Sequence, residues 1–184
     1  MSTTSDPFRP LSHQPGIWTL DPSRSRVEFT LRQLFGKVRG HFVDFEAAIV
    51  TRDDITASTV HARLVPASVN TGNEKRDAHL RGPDFLKVQD HPIVSYTSTS
   101  LERSGDSYVL TGDLAIRGAT RVVQLDLVLN EFGTDRAGQA HATFTASGHI
   151  SRRAFGVTVP MDGGGVVISD RIKLRVELHA VRQN

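Results

Sequence analysis

One polar block stands out for its chemistry: Thr71-Gly-Asn-Glu-Lys-Arg-Asp-Ala-His-Leu80. It gathers Glu74, Lys75, Arg76, Asp77 and His79 within a single short span. Arg76 and Lys75 are the groups there that could pair with a phosphate or another anionic head group. Asp77 accepts hydrogen bonds only, when ionised, and cannot favour an anion. It therefore suits a bracing role, in which neighbouring donors pin the block in place. The same internal use is open to Arg76. Asp77-x-His79 is a lone pair of metal-ligand types, whereas zinc sites take three or four ligands. The eight histidines of the chain show no compact ligand spacing, so no metal is expected, and His79 is expected as a hydrogen-bonded rim residue.

Other chemistries find less support. Ser25, Ser68, Ser95 and Ser151 sit in no nucleophile elbow. The acids are spread evenly, with no pair marked as general acid and base. Gly163-Gly-Gly165 lacks the following helix that a phosphate loop requires; it reads as a flexible hairpin loop before a strand beginning at Val166. There is no cysteine, which excludes thiolate sites and disulfides. The net charge is +2. Lys and Arg are scattered along strands, without the clustered basic face that nucleic-acid capture uses, so no nucleic-acid partner is expected.

The elements that must hold the polar block are strands. Ile172, Leu174, Val176, Leu178 and Ala180 alternate with Lys173, Arg175, Glu177 and His179. This is period 2, one face dry and one wet. The pattern recurs at 27–31, 60–64, 123–129 and 142–146, and more weakly at 41–50, 93–101 and 107–116. Turn chemistry separates the runs at Ser104-Gly-Asp106, Arg117-Gly118 and Arg136-Ala-Gly138. The sum is about eight antiparallel strands with short connections, a barrel or sandwich. Residues 70–90 break the pattern. Thr71 or Asn73 can cap a short helix over 72–82, with Glu74 in its first turn and Gly82-Pro83 ending it. Such a helix between two barrel strands lies across one end. Residues 1–16, with Pro7, Pro10 and Pro15, read as a flexible tail, followed by one domain over 17–184.

The interior faces supply a further set of candidates. An eight-stranded barrel is either filled by its own side chains or holds one small ligand. Phe29, Leu31, Phe42, Phe45, Leu80, Phe85, Leu114, Ile116, Phe144 and Phe155 are the candidate lumen residues, and plain core packing accounts for the same set.

Read in order, several fragments resemble one family. They are Trp18-Thr-Leu-Asp21-Pro-Ser-Arg-Ser25, Lys37-Val-Arg-Gly40-His-Phe42, Ser68-Val-Asn-Thr71-Gly-Asn-Glu-Lys-Arg-Asp77-Ala-His-Leu80, Asp84-Phe85, His91-Pro92, Gly112-Asp-Leu-Ala-Ile-Arg-Gly118-Ala-Thr120 and Ser151-Arg-Arg-Ala-Phe155-Gly156. Together they resemble the YceI-like, or polyisoprenoid-binding, family across nearly all of 17–182. The resemblance implies an all-β, antiparallel lipocalin-like barrel with one short helix at its end. It implies a lumen that holds a polyisoprenoid, fatty or quinone-like lipid, with no catalysis and no cofactor. It also implies a homodimer as one state of the chain. The sequence departs from the family pattern at Arg24, at Gln33 and in a short 34–36 segment, all near the first hairpin.

The expected function is thus a non-catalytic carrier, with Lys75, Arg76 and His79 at a polar rim. Two alternatives stand beside it: a small-molecule enzyme using the same pocket, and an interaction module with a filled core. The N-terminus carries neither a basic region nor an apolar stretch of the secretory kind, and no apolar run approaches the ~20 residues of a membrane helix. The expectation is a cytoplasmic protein with no transmembrane segment.

Overall fold

The computed structural model describes residues 14–33, 35–158 and 168–183 of the chain. Most of the tail expected at 1–16, and the Gly163–Gly165 loop with the strand start at Val166, lie outside those residues.

The described chain runs β1 (Gly16–Leu20), β2 (Arg26–Gln33), β3 (Gly36–Phe42), β4 (Phe45–Thr51), β5 (Thr59–Leu64), β6 (Val69–Asn70), α1 (Glu74–Arg81), β7 (Val94–Ser104), β8 (Ser107–Ile116), β9 (Ala119–Thr134), β10 (Ala140–Ser151) and β11 (Ile168–Arg182). Every pairing is antiparallel. The ring β1-β4-β5-β7-β8-β9-β10-β11 closes because β1 pairs both β4 and β11. This is an eight-strand antiparallel barrel, and closure removes the free edges an open sheet would expose.

The remaining strands, β2, β3 and β6, continue β1, β4 and β5 beyond a break. Both β1 and β2 lie along β11, Leu20 opposite Ala180 and Arg26 opposite Glu177. The run expected as one strand over 41–50 is therefore two, bent at Val43-Asp44, and the short β1 before the first break carries too few residues to show a period. Serine side chains repair the ladder where the backbone leaves it. Ser25 Oγ accepts from the His179 N–H at 3.0 Å. Ser68 Oγ accepts from the Val43 and Asp44 N–H groups at 3.1 and 3.0 Å and donates to the Val65 carbonyl at 2.7 Å. Two of the serines weighed as nucleophiles thus serve the backbone, where an unpaired buried N–H would cost free energy.

Apolar side chains collect in three groups along the barrel. At one end, α1 contributes Leu80, and Phe85 follows it, against Phe29, Leu31, Val38, Val69 and Val157. Tyr96, Leu101, Tyr108, Leu110, Leu114, Val123 and Phe155 form the second group. Trp18, Ile49, Ala140, Ala142 and Ala180 form the third. There the small alanines leave room for Trp18, which meets Phe132 edge-on with centroids 5.9 Å apart and donates its indole N–H to Thr51 Oγ1 at 2.8 Å.

An isolated helix the length of α1 is unstable in water, so tertiary contacts must hold it. Asn73 caps it, its side chain accepting from the Arg76 N–H at 3.0 Å. Asp77 is buried and accepts from both the N–H and the hydroxyl of Thr71, at 3.0 and 2.6 Å. Thr71, the other possible cap, is thereby a partner of Asp77. Arg81 donates to the Ala67 carbonyl and pairs with Glu74, each at 3.0 Å.

Candidate functional site: an apolar lumen

The barrel encloses a cavity of about 330 Å³. Ligand sites fall at about 300–1,000 Å³ and are mostly apolar. All ten apolar residues nominated from the sequence line it: Phe29, Leu31, Phe42, Phe45, Leu80, Phe85, Leu114, Ile116, Phe144 and Phe155. Period-2 alternation puts the seven strand residues there, because inward positions of each strand share the lumen; Leu80 enters from α1, Phe85 from the turn after it and Phe155 from the short turn Arg153–Phe155. Ile172, Leu174, Val176 and Leu178 of β11, and Leu125, Leu127 and Leu129 of β9, complete much of the wall.

Two glycines shape the lumen by what they omit. A Cβ on Gly40 would stand 2.4 Å from Phe29 Cζ, so the missing side chain makes room for the Phe29 ring. A Cβ on Gly112 would stand 2.5 Å from Tyr96 Cζ. The Tyr96 ring lies over that gap, and its hydroxyl donates to the Leu110 carbonyl at 3.3 Å. Both are long-range consequences of register that a single chain of letters does not display.

Polar groups in the wall are few, and Glu46 and Arg63 among them lie 3.7 Å apart. Arg152 is buried and lines the cavity. Its guanidinium donates to three carbonyls: Val157 at 2.7 Å, Ile168 at 3.0 Å and Ser169 at 3.1 Å. It acts as a bracket for the chain around the short 3-10 turn Arg153–Phe155, not as a free cation. Sequence reasoning missed Arg152, since nothing in the Ser151-Arg-Arg153 spelling says which arginine turns inward. Burial, aided by the Asp113 carboxylate, pushes the Tyr96 phenol up to about 12. Ser151 Oγ donates to Asp170 at 2.7 Å and accepts from the Ala154 N–H at 3.2 Å, another structural serine. Among the described residues, no buried side-chain polar atom lacks a partner, and no group of three or more metal-ligand residues comes together.

The three polar rim candidates separate from the lumen and from one another. None of Lys75, Arg76 and His79 lines the cavity. Arg76 turns back on its own loop, its Nε donating to Thr71 Oγ1 at 2.7 Å and a terminal nitrogen to the Thr71 carbonyl at 2.9 Å. His79 stands 3.2 Å from the Asp84 carboxylate and meets the Phe85 ring edge-on, with centroids 4.9 Å apart. Lys75 is exposed on α1. The block is cross-braced: Thr71 alone serves both Asp77 and Arg76. Behind it, Arg117 at the β8–β9 turn donates to the Gly156 carbonyl and, at 2.8 Å, to the Pro83 carbonyl. That ties the barrel's far hairpin to the segment following α1.

The architecture and sequence agree with known proteins. A UPF0312 protein of Pectobacterium carotovorum is 33% identical over 159 residues, covering 85% of this chain and 81% of that one. The crystal structure of the Campylobacter jejuni YCEI protein superposes with a TM-score of 0.69 at 29% identity, over 80% of this chain and 86% of that one. A polyisoprenoid binding domain from Saccharophagus degradans shares the fold, with a TM-score of 0.68 at 15% identity, over 90% of this chain and 98% of that one. The model of the YceI-like domain matches residues 18–180, which spans the closed barrel from β1 to β11, and the chain belongs to that family.

Proposed function

We propose that the protein is a non-catalytic carrier that sequesters a polyisoprenoid, or a similar long-chain fatty or quinone-like amphiphile, in the barrel lumen. The observation that carries this reading is the continuous apolar wall of the cavity, from Phe85 and Leu31 to Phe144 and Leu178. Each CH₂ removed from water is worth ~0.8 kcal/mol, so a buried isoprene unit contributes roughly 3 kcal/mol gross. About three or four such units give on the order of 10 kcal/mol before ordering costs. Micromolar affinity needs about 8 kcal/mol. Tail burial therefore suffices without strong head-group recognition, and specificity by length outweighs specificity by chemistry. The relative from Saccharophagus degradans, named for polyisoprenoid binding, points to the same ligand class.

The polar groups of the wall favour binding over turnover. Arg152 is committed to three carbonyls, Tyr96 donates its hydroxyl to the Leu110 carbonyl, and Glu46 lies 3.7 Å from Arg63. None of these stands as an uncommitted acid or base aimed into the lumen, as general acid–base catalysis uses.

Organic extraction of the purified protein, followed by mass spectrometry, tests the reading. A long-chain lipid should be recovered, or stripped protein should take up prenyl or fatty probes in a length-dependent way. A protein that yields no lipid and takes up neither probe class would refute the carrier role.

A further inference from the structure

The cations that look scattered along the sequence are assembled by strand register into one patch. Arg32 of β2 lies directly opposite Lys37 of β3. In the neighbouring cross-strand row, Arg39 pairs with Thr30, Thr30 with Lys173, and Lys173 with His149. Arg171 reaches the same place, a terminal nitrogen 3.1 Å from His149 Nδ1. Adjacent strands are about 4.8 Å apart, so these groups crowd one outer face of β3-β2-β11-β10. Arg32, Lys37, Arg39, Arg171 and Lys173 are all exposed, and none is in an ion pair with a described carboxylate. Asp170, the nearest acid in sequence to Arg171, is turned to Ser151 Oγ and the Arg153 N–H. Glu177 is occupied by Arg175. Glu28, opposite Arg175 and His41, lies one row further from the hairpin. His149 titrates below its ordinary value, through desolvation and then through Arg171 and Lys173, as a positive local field requires.

At the tip of the β2–β3 hairpin, beside Arg32 and Lys37, stands Phe35. It is 96% exposed, the most exposed of the large apolar residues among those described. A single exposed phenylalanine is ordinary by itself; what distinguishes this one is its place at a turn flanked by cations. Next to five unpaired cations it has one economical use. Anionic lipid surfaces attract Lys and Arg side chains within a Debye length, and an aromatic ring then seats at the headgroup–acyl boundary. Nucleic acid would use the charges but would need no isolated apolar tip. The hairpin also borders the end of the cavity lined by Leu31, Phe29 and Ile172.

We propose that the β2–β3 hairpin and the adjoining face of β11 dock the barrel on an anionic lipid bilayer, with Phe35 as the inserted anchor and Arg32, Lys37, Arg39, Arg171 and Lys173 as the electrostatic contact. The docking stands on the outer surface and does not depend on what fills the lumen. Its test leaves the carrier reading untouched, because lipid uptake from solution is measured without vesicles.

The test is sedimentation of the full chain with vesicles of neutral phosphatidylcholine, and with vesicles in which about 30% of the lipid is phosphatidylglycerol. The protein should sediment with the anionic vesicles and not with the neutral ones, and high salt should release it. Each cation is worth roughly a fivefold change in partition. Lys37→Glu with Arg39→Glu should therefore weaken binding by about 25-fold or more, and Phe35→Ser should weaken it severalfold at unchanged salt dependence. All three positions are exposed, and an unchanged far-ultraviolet circular dichroism spectrum verifies the fold. Equal binding to neutral vesicles, no binding to anionic ones, or indifference to both variants overturns the proposal. So does tighter binding to a duplex oligonucleotide that Phe35→Ser leaves unaltered.

Discussion

Gly40→Ala adds one methyl group and should reshape the lumen. The new Cβ would lie 2.4 and 2.7 Å from Phe29 Cζ and Cε1, and 2.8 Å from Thr71 Cγ2. Carbon atoms sit comfortably at about 3.5–4.0 Å. The Phe29 ring must therefore retreat by roughly 1 Å or more. It is already tilted against Phe42, with centroids 5.5 Å apart, so it is driven toward the lumen. Thr71, which holds both Asp77 and Arg76, is pressed as well. Overpacking of a well-packed core costs about 1–3 kcal/mol, and this site belongs in the upper half of that range because two neighbours must yield. Urea denaturation measures the loss. Phe29→Leu in the same background removes the clash, and the double variant should recover about 1 kcal/mol or more relative to additivity. In a series of prenyl alcohols of increasing length, Gly40→Ala should lower the longest one bound, and Phe29→Leu should restore or extend it. If Gly40→Ala is as stable as the parent, or if Phe29→Leu merely adds its own cost, the packing argument fails. If stability falls and recovers as expected while ligand length never changes, Phe29 packs the core without limiting the lumen.

Two further outcomes follow from groups already placed. Tyr96 keeps its proton more tightly when folded, pushed from 10.0 up to about 12. Its contribution is fully present below pH 10 and is lost as pH rises toward 12, at most about 2–3 kcal/mol. Stability measured across that window should fall less steeply in Tyr96→Phe than in the parent, and parallel curves would refute the assignment. Arg76→Ala removes two hydrogen bonds to Thr71 and should cost about 1–2 kcal/mol in thermal or urea unfolding. It should weaken anionic and neutral lipids alike; a selective loss of anionic ligands would restore Arg76 as a head-group contact.

The sequence was most legible where chemistry is local or periodic. Alternation along 172–180 and 123–129 located β11 and β9, because a strand with one dry face must repeat every second residue. The helix was marked by two possible caps, Thr71 and Asn73, at its start and by Gly82-Pro83 at its end, since orphan backbone groups select a narrow set of residues. The strand members of the apolar lumen set followed from the same alternation, whereas Leu80, Phe85 and Phe155 reach the lumen from the helix and from turns. β1 was obscure: five residues at the start of a broken strand carry too little period to notice, and their partners are in β4 and β11.

What spacing alone determined, then, was about eight antiparallel strands, in a barrel or a sandwich, a short helix and the dry face of each strand; the barrel was what the family resemblance implied. The strands and the helix depend on spacing within a segment. Only the tertiary structure decided how the pieces bear on one another. It spent Arg76 on Thr71, turned Arg152 inward onto three carbonyls, gave Phe29 and Tyr96 the space of absent side chains at Gly40 and Gly112, and drew Arg32, Lys37, Arg39, Arg171 and Lys173 onto one face. The glycine gaps and the cation patch depend on cross-strand register between residues far apart in the chain, whereas Arg76 meets a loop only five residues back, which the buried Asp77 holds in place. A side chain's partners are chosen by such contacts, whereas its own period shows only which way it points.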